Sequence, residues 1–520
     1  MKSNLFTYLA AAVLVAAGCN STAPAGQEFM DYASFDKDRV EMTFHPGNST
    51  MIFEEVDNPL KEGINTTDRC AHLISGGGEN EFLWSDPFGR NFDFTANPPI
   101  FKMKVIAPKA GLRVWMKLEP VKITDELLPV EVKNVRTKTA GQWEELVFDF
   151  TEFAPRSNWY RKIVLMFDAG HTTIDQEWYF DEITGPSDDL TKISLFKRYE
   201  GNPVFYPEGT QNWRDSHIAN ASIISPAESP DGNWWMYVRG SGHVPDYHDQ
   251  IGLFTQPADD FKPFGPWKEY EGNPVIPHGP KGSFDEWHLL DCAAVKGPDG
   301  TVYVYYKGRM KNDNGSMDPT SSIGVAYSKD GGYTFTKKDG PWKRPGGPSD
   351  AVYHDGKFYI FCGPTVFVTE DPLSYEKATK HRILNLGDGP AEFDRASIWG
   401  SMVFRLEGVN KWFIAYQGMS IRNDFPDRFH VAYSDDLLNW TKVDNDQPLY
   451  GRGSAGEWDQ GGMWCPEIIE HEGMLYLYYE GWGYKGHVKD RNAPYFGGNS
   501  SIGVAYASKE DFLRWCGLTL

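Results

Sequence analysis

The sequence predicts an all-β protein with two parts, an N-terminal β-sandwich (jelly roll) followed by a five-bladed β-propeller. Three observations lead to this fold class. Short runs of alternating apolar and polar residues fill the first third, no helical stretch of useful length competes with them, and one motif recurs five times in the remaining two-thirds. We place the sandwich at residues 32–187 and the propeller at residues 190–520.

The first residues predict export. An apolar run over residues 5–17 follows Lys2 and is too short to span a membrane, as in a signal peptide. The run ends in Ala-Ala-Gly before Cys19, which resembles a bacterial lipobox. Residues 1–19 are therefore expected to be a lipoprotein signal with Cys19 lipidated, and residues 20–31 a flexible tether. The protein would then be lipid-anchored in the bacterial envelope, at the cell surface or in the periplasm; an ordinary cleaved signal is the alternative.

The strands of the sandwich are visible as period-two runs broken by Gly, Pro, Asn and Asp. They are FKMKVIA (101–107), LRVWMKLE (112–119), ELVFDF (145–150), KIVLMF (162–167) and EWYFDEI (177–183). The stretch from residue 56 to 73 and the closing YFDEI resemble the jelly-roll modules attached to bacterial polysaccharide-degrading enzymes. That resemblance implies either glycan binding or bracing of the catalytic domain, and the sequence favours neither.

The recurring motif has an aromatic residue at its first position and the start of an apolar strand at its eighth. A turn and two further strands follow each copy. A repeated antiparallel unit of this length cannot bury both of its own faces, so five copies predict five blades of a propeller. The copies are WRDSHIAN (213–220), FDEWHLLD (284–291), WKRPGGPS (342–349), FDRASIWG (393–400) and WDQGGMWC (458–465).

Blade geometry indicates where a site should lie. Innermost strands line the central axis, and the eighth motif residue, here called the axial position, begins each of them. The loops between second and third strands lie at the same end, so they and the axial positions should form one pocket. The axial residues are Asn220, Asp291, Ser349, Gly400 and Cys465.

Two carboxylates are expected to face this axis, Asp291 at an axial position and Glu467 two residues beyond one. Burial there would raise their pKa values and suit them to proton transfer, although a structural ion pair or a metal in the channel is the alternative. We predict this pair as the catalytic core, with a third carboxyl group from Asp215, Glu286 or Glu480. Aspartates directly after the motif aromatic are expected to cap turns instead: Asp285, Asp394 and Asp459.

Further polar and aromatic residues surround the expected mouth. His217 and His288 share one motif position and could also serve as the acid. Cations on the rim of so acidic a protein favour an anionic sugar, sulfated or uronic, whereas solvated loop charges are the alternative. The predicted substrate-binding residues are His217, His288, Asn220, Arg309, Arg395, Trp399, Trp464 and His487.

Composition narrows the partners. A net charge of −21 argues against nucleic acid, and 15% aromatic residues suit sugar stacking as well as an all-β core. The five cysteines after Cys19 are odd in number and widely spaced, so they predict neither a disulfide framework nor a zinc site. No cofactor is expected, although a structural cation such as calcium in the central channel is compatible with the fold.

The five-blade pattern, HLLDCAAVKGPDGTVYVYYKGR (288–309) and SIGVAYSKDGGYTF (322–335) resemble the five-bladed glycoside hydrolases of families 43, 32 and 117. The resemblance covers roughly residues 197–517 and implies a triad of carboxylates. Asp291 matches the second-blade aspartate of that triad. Asn220 stands where the first-blade aspartate is expected, and WCPEII (464–469) resembles the family 32 acid motif with its carboxylate displaced to Glu467.

These features predict a glycoside hydrolase, exo-acting on the chain end of an acidic or modified polysaccharide or oligosaccharide. The incomplete triad makes a non-catalytic glycan-binding lipoprotein the second hypothesis. A polysaccharide lyase that uses the histidines and Tyr495 to abstract a proton is the third.

Overall fold

The computed structural model describes residues 26–36, 42–88, 90–125, 127–207, 213–243, 248–312, 318–388, 392–420, 426–454, 457–483 and 499–518. Over this part of the chain it contains two sheets that form a β-sandwich, followed by five sheets of a propeller. The predicted fold class is therefore confirmed. The predicted signal peptide, Cys19 and residues 20–25 of the predicted tether lie outside the described residues, whereas residues 29–31 of that tether already form part of a strand.

Two antiparallel sheets make the sandwich. The first has the order β3-β4-β11-β6-β9, with β1 also paired to β11, and the second has the order β2-β5-β10-β7-β8. The strands are β1 (Phe29–Ala33), β2 (Phe44–Pro46), β3 (Ile52–Asp57), β4 (Arg69–Gly76), β5 (Leu83–Ser85), β6 (Ile100–Ile106), β7 (Arg113–Glu119), β8 (Val130–Arg136), β9 (Trp143–Asp149), β10 (Lys162–Phe167) and β11 (Ile174–Pro186).

The period-two pattern explains how the sandwich core forms. On β7, Val114, Met116 and Leu118 are fully buried between the sheets, whereas Trp115 and Lys117 point to the outer face and are half-buried. Successive side chains of a strand point to opposite faces, so alternate apolar residues supply one continuous core.

Each propeller blade consists of three long strands and a short outermost strand. The first blade contains β13 (His217–Ile224), β14 (Trp234–Gly242), β15 (His248–Gln256) and β16 (Lys268–Glu269), and the second contains β17 (His288–Lys296), β18 (Val302–Arg309), β19 (Ser322–Ser328) and β20 (Thr336–Lys337). The third blade contains β21 (Asp350–His354), β22 (Lys357–Cys362), β23 (Thr365–Thr369) and β24 (Thr379–Arg382). The fourth contains β25 (Ser397–Arg405), β26 (Trp412–Met419), β27 (Arg428–Ser434) and β28 (Trp440–Lys442), with β29 (Tyr450–Gly451) beside β27.

The fifth blade closes the ring. Its strands β30 (Gly462–His471), β31 (Met474–Trp482) and β32 (Ser501–Ser508) are joined by β12 (Lys197–Arg198) from the start of the propeller. Lys197 pairs with Tyr506, so the two ends of the domain share one sheet. Helix α1 (Lys509–Trp515) follows and buries Phe512 against Phe413 at a ring distance of 5.3 Å. No helix in the described part of the chain is long and apolar enough to cross a membrane.

The aspartates after the motif aromatic hold the blades together in addition to accepting loop N–H groups, which Gly387 donates to Asp394 at 3.1 Å and Gly453 to Asp459 at 3.2 Å. Buried Asp285 accepts a hydrogen bond from Tyr306 at 2.9 Å and pairs with Lys337 on the outermost strand at 2.7 Å. Asp459 accepts a hydrogen bond from Tyr479 at 3.0 Å and pairs with Arg198 at 3.0 Å. Asp394 likewise pairs with Lys442. Each pair fixes the innermost loop of a blade to its outer edge.

A buried set of charges joins the sandwich to the propeller. Asp188 accepts hydrogen bonds from Arg90 at 2.6 and 2.7 Å and pairs with Arg452 at 3.1 Å. Arg428, at the start of a third strand in the fourth blade, pairs with Asp93 of the sandwich. Although burial opposes ionisation, Arg452 and Arg90 hold the pKa of Asp188 below its ordinary value. The sandwich is thus docked at the end of the propeller where the axial positions lie.

Candidate active site at the upper end of the propeller

The axial positions have an unusual backbone. Asn220, Asp291 and Cys465 have φ angles of 50°, 49° and 55°, and Gly400 has 52°. The strand register shifts at each of these four residues, which marks a β-bulge. Asn and Asp tolerate this left-handed region better than most residues, and Gly adopts it without strain. The bulges aim side chains toward one end of the axis, here called the upper end.

Two carboxylates face this upper end, each beside a cation. Asp291 Oδ2 lies 2.9 Å from Lys307 Nζ, and Glu480 Oε1 lies 3.1 Å from Arg239 Nη2. Burial raises the pKa of the Cys465 thiol, and the charges of Asp291 and Glu480 both raise it further. We call Asp291, Lys307, Glu480, Arg239 and Cys465 the upper cluster.

A histidine–aspartate pair lies at the rim in the first two blades. His288 Nδ1 pairs with the buried carboxylate of Asp249, which also accepts a hydrogen bond from Ser241. Although burial opposes ionisation, His288 and Arg239 hold the pKa of Asp249 below its ordinary value. The Trp287 ring stacks on His288 at 4.2 Å. The repeat pattern did not single out Asp249, whose only signal is its place two residues before the third-strand run IGLFTQ.

His217 has a different character from His288. Its Nδ1 accepts a hydrogen bond from the Ser500 N–H at 2.8 Å, so the remaining ring proton is assigned to Nε2. Burial, with Arg239 adding to the effect, lowers the pKa of His217 to about 4. The ring is therefore neutral near pH 7 and presents a donor, which suits sugar binding and disfavours the acid role considered for it.

Two predicted carboxylates hold rim loops. Asp215 Oδ1 lies 2.9 Å from His243 Nδ1. Glu286 accepts the backbone N–H groups of Gly282 and, at 2.9 Å, Lys311. Those hydrogen bonds, the one from Gly282 first, lower the pKa of Glu286. Within the described residues, no hydrogen bond or ion pair connects either carboxylate to the upper cluster.

The predicted aromatic and cationic binding residues do not all lie at the rim, because Arg395 contacts the sandwich domain. Trp399 is 49% exposed, and Trp464 stacks on Trp482 at a ring distance of 5.9 Å. Arg309 ends β18 at the rim, where its carbonyl accepts the Trp287 N–H at 3.2 Å. Arg395 lies 5.0 Å from the ring of Trp159 in the sandwich and so takes part in the domain contact. His487 lies outside the described residues.

Glu467 lies at a different place from the one expected. It lines a lower cavity of about 810 Å³ together with Ser222 and Asp350, and Asp291 does not line this cavity. Burial raises the pKa of Asp350 to about 7 and raises that of Glu467 well above its ordinary value, with the charge of Asp350 adding to the shift at Glu467. The carboxyl group whose charge acts on Glu467 is thus Asp350, and within the described residues no hydrogen bond or ion pair joins Glu467 to Asp291.

The third blade explains why Asp350 was missed. It has no bulge, so its innermost strand begins at Asp350, while Ser349 donates its N–H to Phe361 within its own blade at 2.7 Å. Asp350 corresponds to Glu467 when the blades are aligned on the glycine of the turn that follows the innermost strand. Asp350 precedes Gly356 by six residues, and Glu467 precedes Gly473 by six residues. Alignment on the motif aromatic instead puts Ser349 at the axial position and Asp350 one residue beyond it.

Asn220 also has a structural task. Its Oδ1 accepts the backbone N–H of Cys292 in the next blade, and Ser222 Oγ accepts that of Ala294 at 3.0 Å. Gln417 does the same for Cys465 at 2.9 Å. These contacts bridge neighbouring innermost strands.

Among the residues that the structure describes, no group of three or more His, Cys, Asp and Glu side chains is arranged to hold a metal ion.

Comparison with solved structures finds propeller-length likenesses at low identity. They include an N-acetylgalactosamine deacetylase from F. plautii in complex with blood group B trisaccharide, with 14% identity, a TM-score of 0.47, and coverage of 62% of this chain and 97% of that one. A β-1,2-mannobiose phosphorylase from Listeria innocua has 13% identity, a TM-score of 0.42, and coverage of 62% and 99%.

A third likeness is a GH43_1 enzyme from Xanthomonas citri complexed with xylotriose. Identity is 14%, the TM-score is 0.38, and coverage is 61% of this chain and 91% of that one. Neither a protein-family model nor a curated protein matches the chain. Because all three TM-scores lie below 0.5, the fold assignment stands on the strand pairing of this chain itself.

Proposed function

We propose that this protein hydrolyses glycosidic bonds at the upper cluster, acting on the chain end of an acidic oligosaccharide or polysaccharide. The observation that carries the proposal is the pair Asp291 and Glu480. The charges of both carboxylates act on the buried Cys465 thiol, and Trp399, which is 49% exposed, directly precedes the axial residue Gly400 of the neighbouring blade. Glycoside hydrolysis generally uses two carboxyl groups that flank the glycosidic bond, and these two are the candidates for that pair.

The chemistry assigns one task to each carboxyl group. One donates a proton to the glycosidic oxygen while the bond from that oxygen to the anomeric carbon breaks. The other accepts a proton from the water whose oxygen attacks the anomeric carbon. Lys307 and Arg239 orient the two carboxylates before substrate binds. This revises the sequence-based core pair, with Glu480 in the place of Glu467.

A cation at the rim supports an anionic substrate. Lys311 Nζ lies 4.9 Å from the Trp287 ring, and that ring stacks on His288. A cation therefore lies beside Trp287, next to the Asp249–His288 pair. A carboxylate or sulfate on the terminal sugar would meet this cation first. The export and lipid anchor predicted at Cys19 would place the activity in the cell envelope.

One observation favours a second candidate, a receptor that binds glycan without cleaving it. Each carboxylate of the upper cluster already pairs with a cation, and the first-blade axial residue, Asn220, uses its Oδ1 on Cys292. A site of this kind can hold a sugar without a free base.

The deciding experiment incubates lipid-free protein with neutral, sulfated and uronic oligosaccharides and separates the products by chromatography. Release of a terminal monosaccharide from an acidic substrate supports the hydrolase. Binding without release, measured by calorimetry on the same panel, supports the receptor. Products that absorb in the ultraviolet would indicate elimination and contradict both.

A further inference from the structure

The outer face of the five-stranded sandwich sheet combines tryptophans with cations. Burial separates its two faces, because Ile163 and Leu165 of β10 are fully buried in the core whereas Lys162 and Met166 of the same strand are half-buried. The residues on the outer face that concern us are Trp84 on β5, Lys162 on β10, Arg113, Trp115 and Lys117 on β7, and Lys133 and Arg136 on β8. We call this set the outer-sheet face.

Two tryptophans on this face lie within a sugar chain's reach of each other. Trp84 pairs with Val164, which pairs with Lys117, and Trp115 is two residues from Lys117 on the same strand. With strands about 4.8 Å apart and residues about 3.3 Å apart along a strand, the two backbone positions are about 12 Å apart. The face can therefore contact more than one sugar ring.

Cations accompany both tryptophans. Lys162 Nζ lies 5.8 Å from the Trp84 ring, while Arg113 and Lys133 lie 5.2 and 5.0 Å from the Trp115 ring. Main-chain carbonyls hold two guanidinium groups in place: Arg113 donates to Ala169 and Arg136 to Gly111, both at 2.7 Å. Each tryptophan thus has a cation beside its ring, and the cation at Trp115, Arg113, is held by a main-chain carbonyl.

Carboxylates balance only part of the positive charge on this face, because Lys117 pairs with Glu119 at 2.7 Å and Lys133 pairs with Glu131. Arg113 stands directly opposite Arg136 across β7 and β8, and like charges in that register destabilise a sheet. Neither arginine, nor Lys162, forms an ion pair with a carboxylate anywhere in the described residues. In a chain of net charge −21, an uncompensated pair of arginines beside a tryptophan fits an anionic ligand.

We propose that the outer-sheet face binds an anionic oligosaccharide chain, with sugar rings against Trp84 and Trp115 and with carboxylate or sulfate groups on Arg113, Arg136 and Lys162. This site lies on the other domain from the upper cluster and needs no catalysis. The sandwich would hold an acidic polymer at the protein whether or not the propeller cleaves it, so this inference goes beyond the proposed hydrolase activity.

The test measures binding of the lipid-free protein by calorimetry to polygalacturonate, chondroitin sulfate and neutral dextran, and to vesicles rich in phosphatidylglycerol. All proteins carry Asp291→Asn, so that turnover plays no part. We compare Arg113→Gln/Arg136→Gln and Trp115→Ala with Lys61→Gln/Lys377→Gln, which removes the same charge as the arginine pair from exposed positions in both domains.

We expect the parent protein to bind at least one acidic polymer and not dextran. Affinity should fall at least tenfold in the arginine variant and in Trp115→Ala, and stay within twofold in the lysine control. The arginine variant should fold normally, because it removes a repulsive pair; its thermal midpoint checks this. Binding to none of the acidic polymers, equal affinity in all variants, or binding to vesicles alone would overturn the proposal.

Discussion

The carboxylate of Glu467 in the last blade accepts a hydrogen bond from the backbone N–H of Ile223 in the first blade, 3.0 Å away. Asp350 makes the matching contact to Val403 between the third and fourth blades at 2.6 Å. Two of the five junctions between innermost strands are thus bridged by buried carboxyl groups in the lower cavity. Their role in the fold is structural, and it carries a pH dependence.

Protonation of this pair should stabilise the fold. Burial raises the pKa of Asp350 from 3.8 to about 7, and that of Glu467 is raised as well. Between about pH 4 and pH 7 the folded chain therefore retains protons that the unfolded chain has lost. The stabilising contribution is complete below the unfolded pKa and is lost as pH rises through the folded one.

Glu467→Gln should flatten that loss, because glutamine keeps an acceptor for Ile223 without a charge. Denaturant unfolding at intervals from pH 4 to pH 8 measures the difference, with the exposed Glu370→Gln as control. Parallel stability curves for wild type and Glu467→Gln would show that the pair does not titrate in this window.

The contact between sandwich and propeller should be strongly stabilising. Arg428 pairs with Asp93 across the domains and with Asp427 at 2.9 Å, and all three side chains are largely buried. Arg428→Ala leaves two carboxylates without their cation, which typically costs about 3–5 kcal/mol. Arg405→Ala, at an exposed arginine over Trp412, should cost far less.

Calorimetry should then show one cooperative unfolding transition for the wild type and two for Arg428→Ala, because the variant uncouples the domains. Two transitions already in the wild type, or a cost equal to that of Arg405→Ala, would contradict a stabilising role for the buried charges.

His217 should bind substrate as a neutral donor. Its pKa of about 4 means that it gains no proton between pH 5 and pH 8. We expect His217→Gln to raise KM while the pH profile of kcat/KM keeps its shape above pH 5. Steady-state kinetics over that range test this, with His288→Gln for comparison. If the pH profile of kcat/KM lost its limb near neutral pH in His217→Gln and not in His288→Gln, His217 would instead be the acid.

The sequence predicted the repeat and the end of the propeller that carries the candidate site, because the aromatic and the turn recur in five copies. It failed where one blade departs from the repeat. Ser349 occupies the axial position by counting, but the third blade has no bulge and Asp350 faces the axis instead. The same bulges place Glu467 and Asp291 in different surroundings, and strand counting could not detect this.

Contacts between distant segments were also beyond the sequence. Asp249 becomes relevant only because the third strand of the first blade brings it to His288. The sequence predicts Arg395 as a substrate-binding residue, and in the structure it contacts Trp159, more than two hundred residues earlier in the chain. Pairings of this kind depend on how blades and domains dock, which local patterns do not encode.

The most direct test of the central claim compares Asp291→Asn, Glu480→Gln and Glu467→Gln for release of sugar from the best acidic substrate. We expect the first two variants to lose about 10²–10⁴-fold in kcat while still binding substrate, and Glu467→Gln, once confirmed to be folded, to stay within about tenfold of wild type. Full activity in Asp291→Asn or Glu480→Gln, or loss confined to Glu467→Gln, would contradict catalysis at the upper cluster.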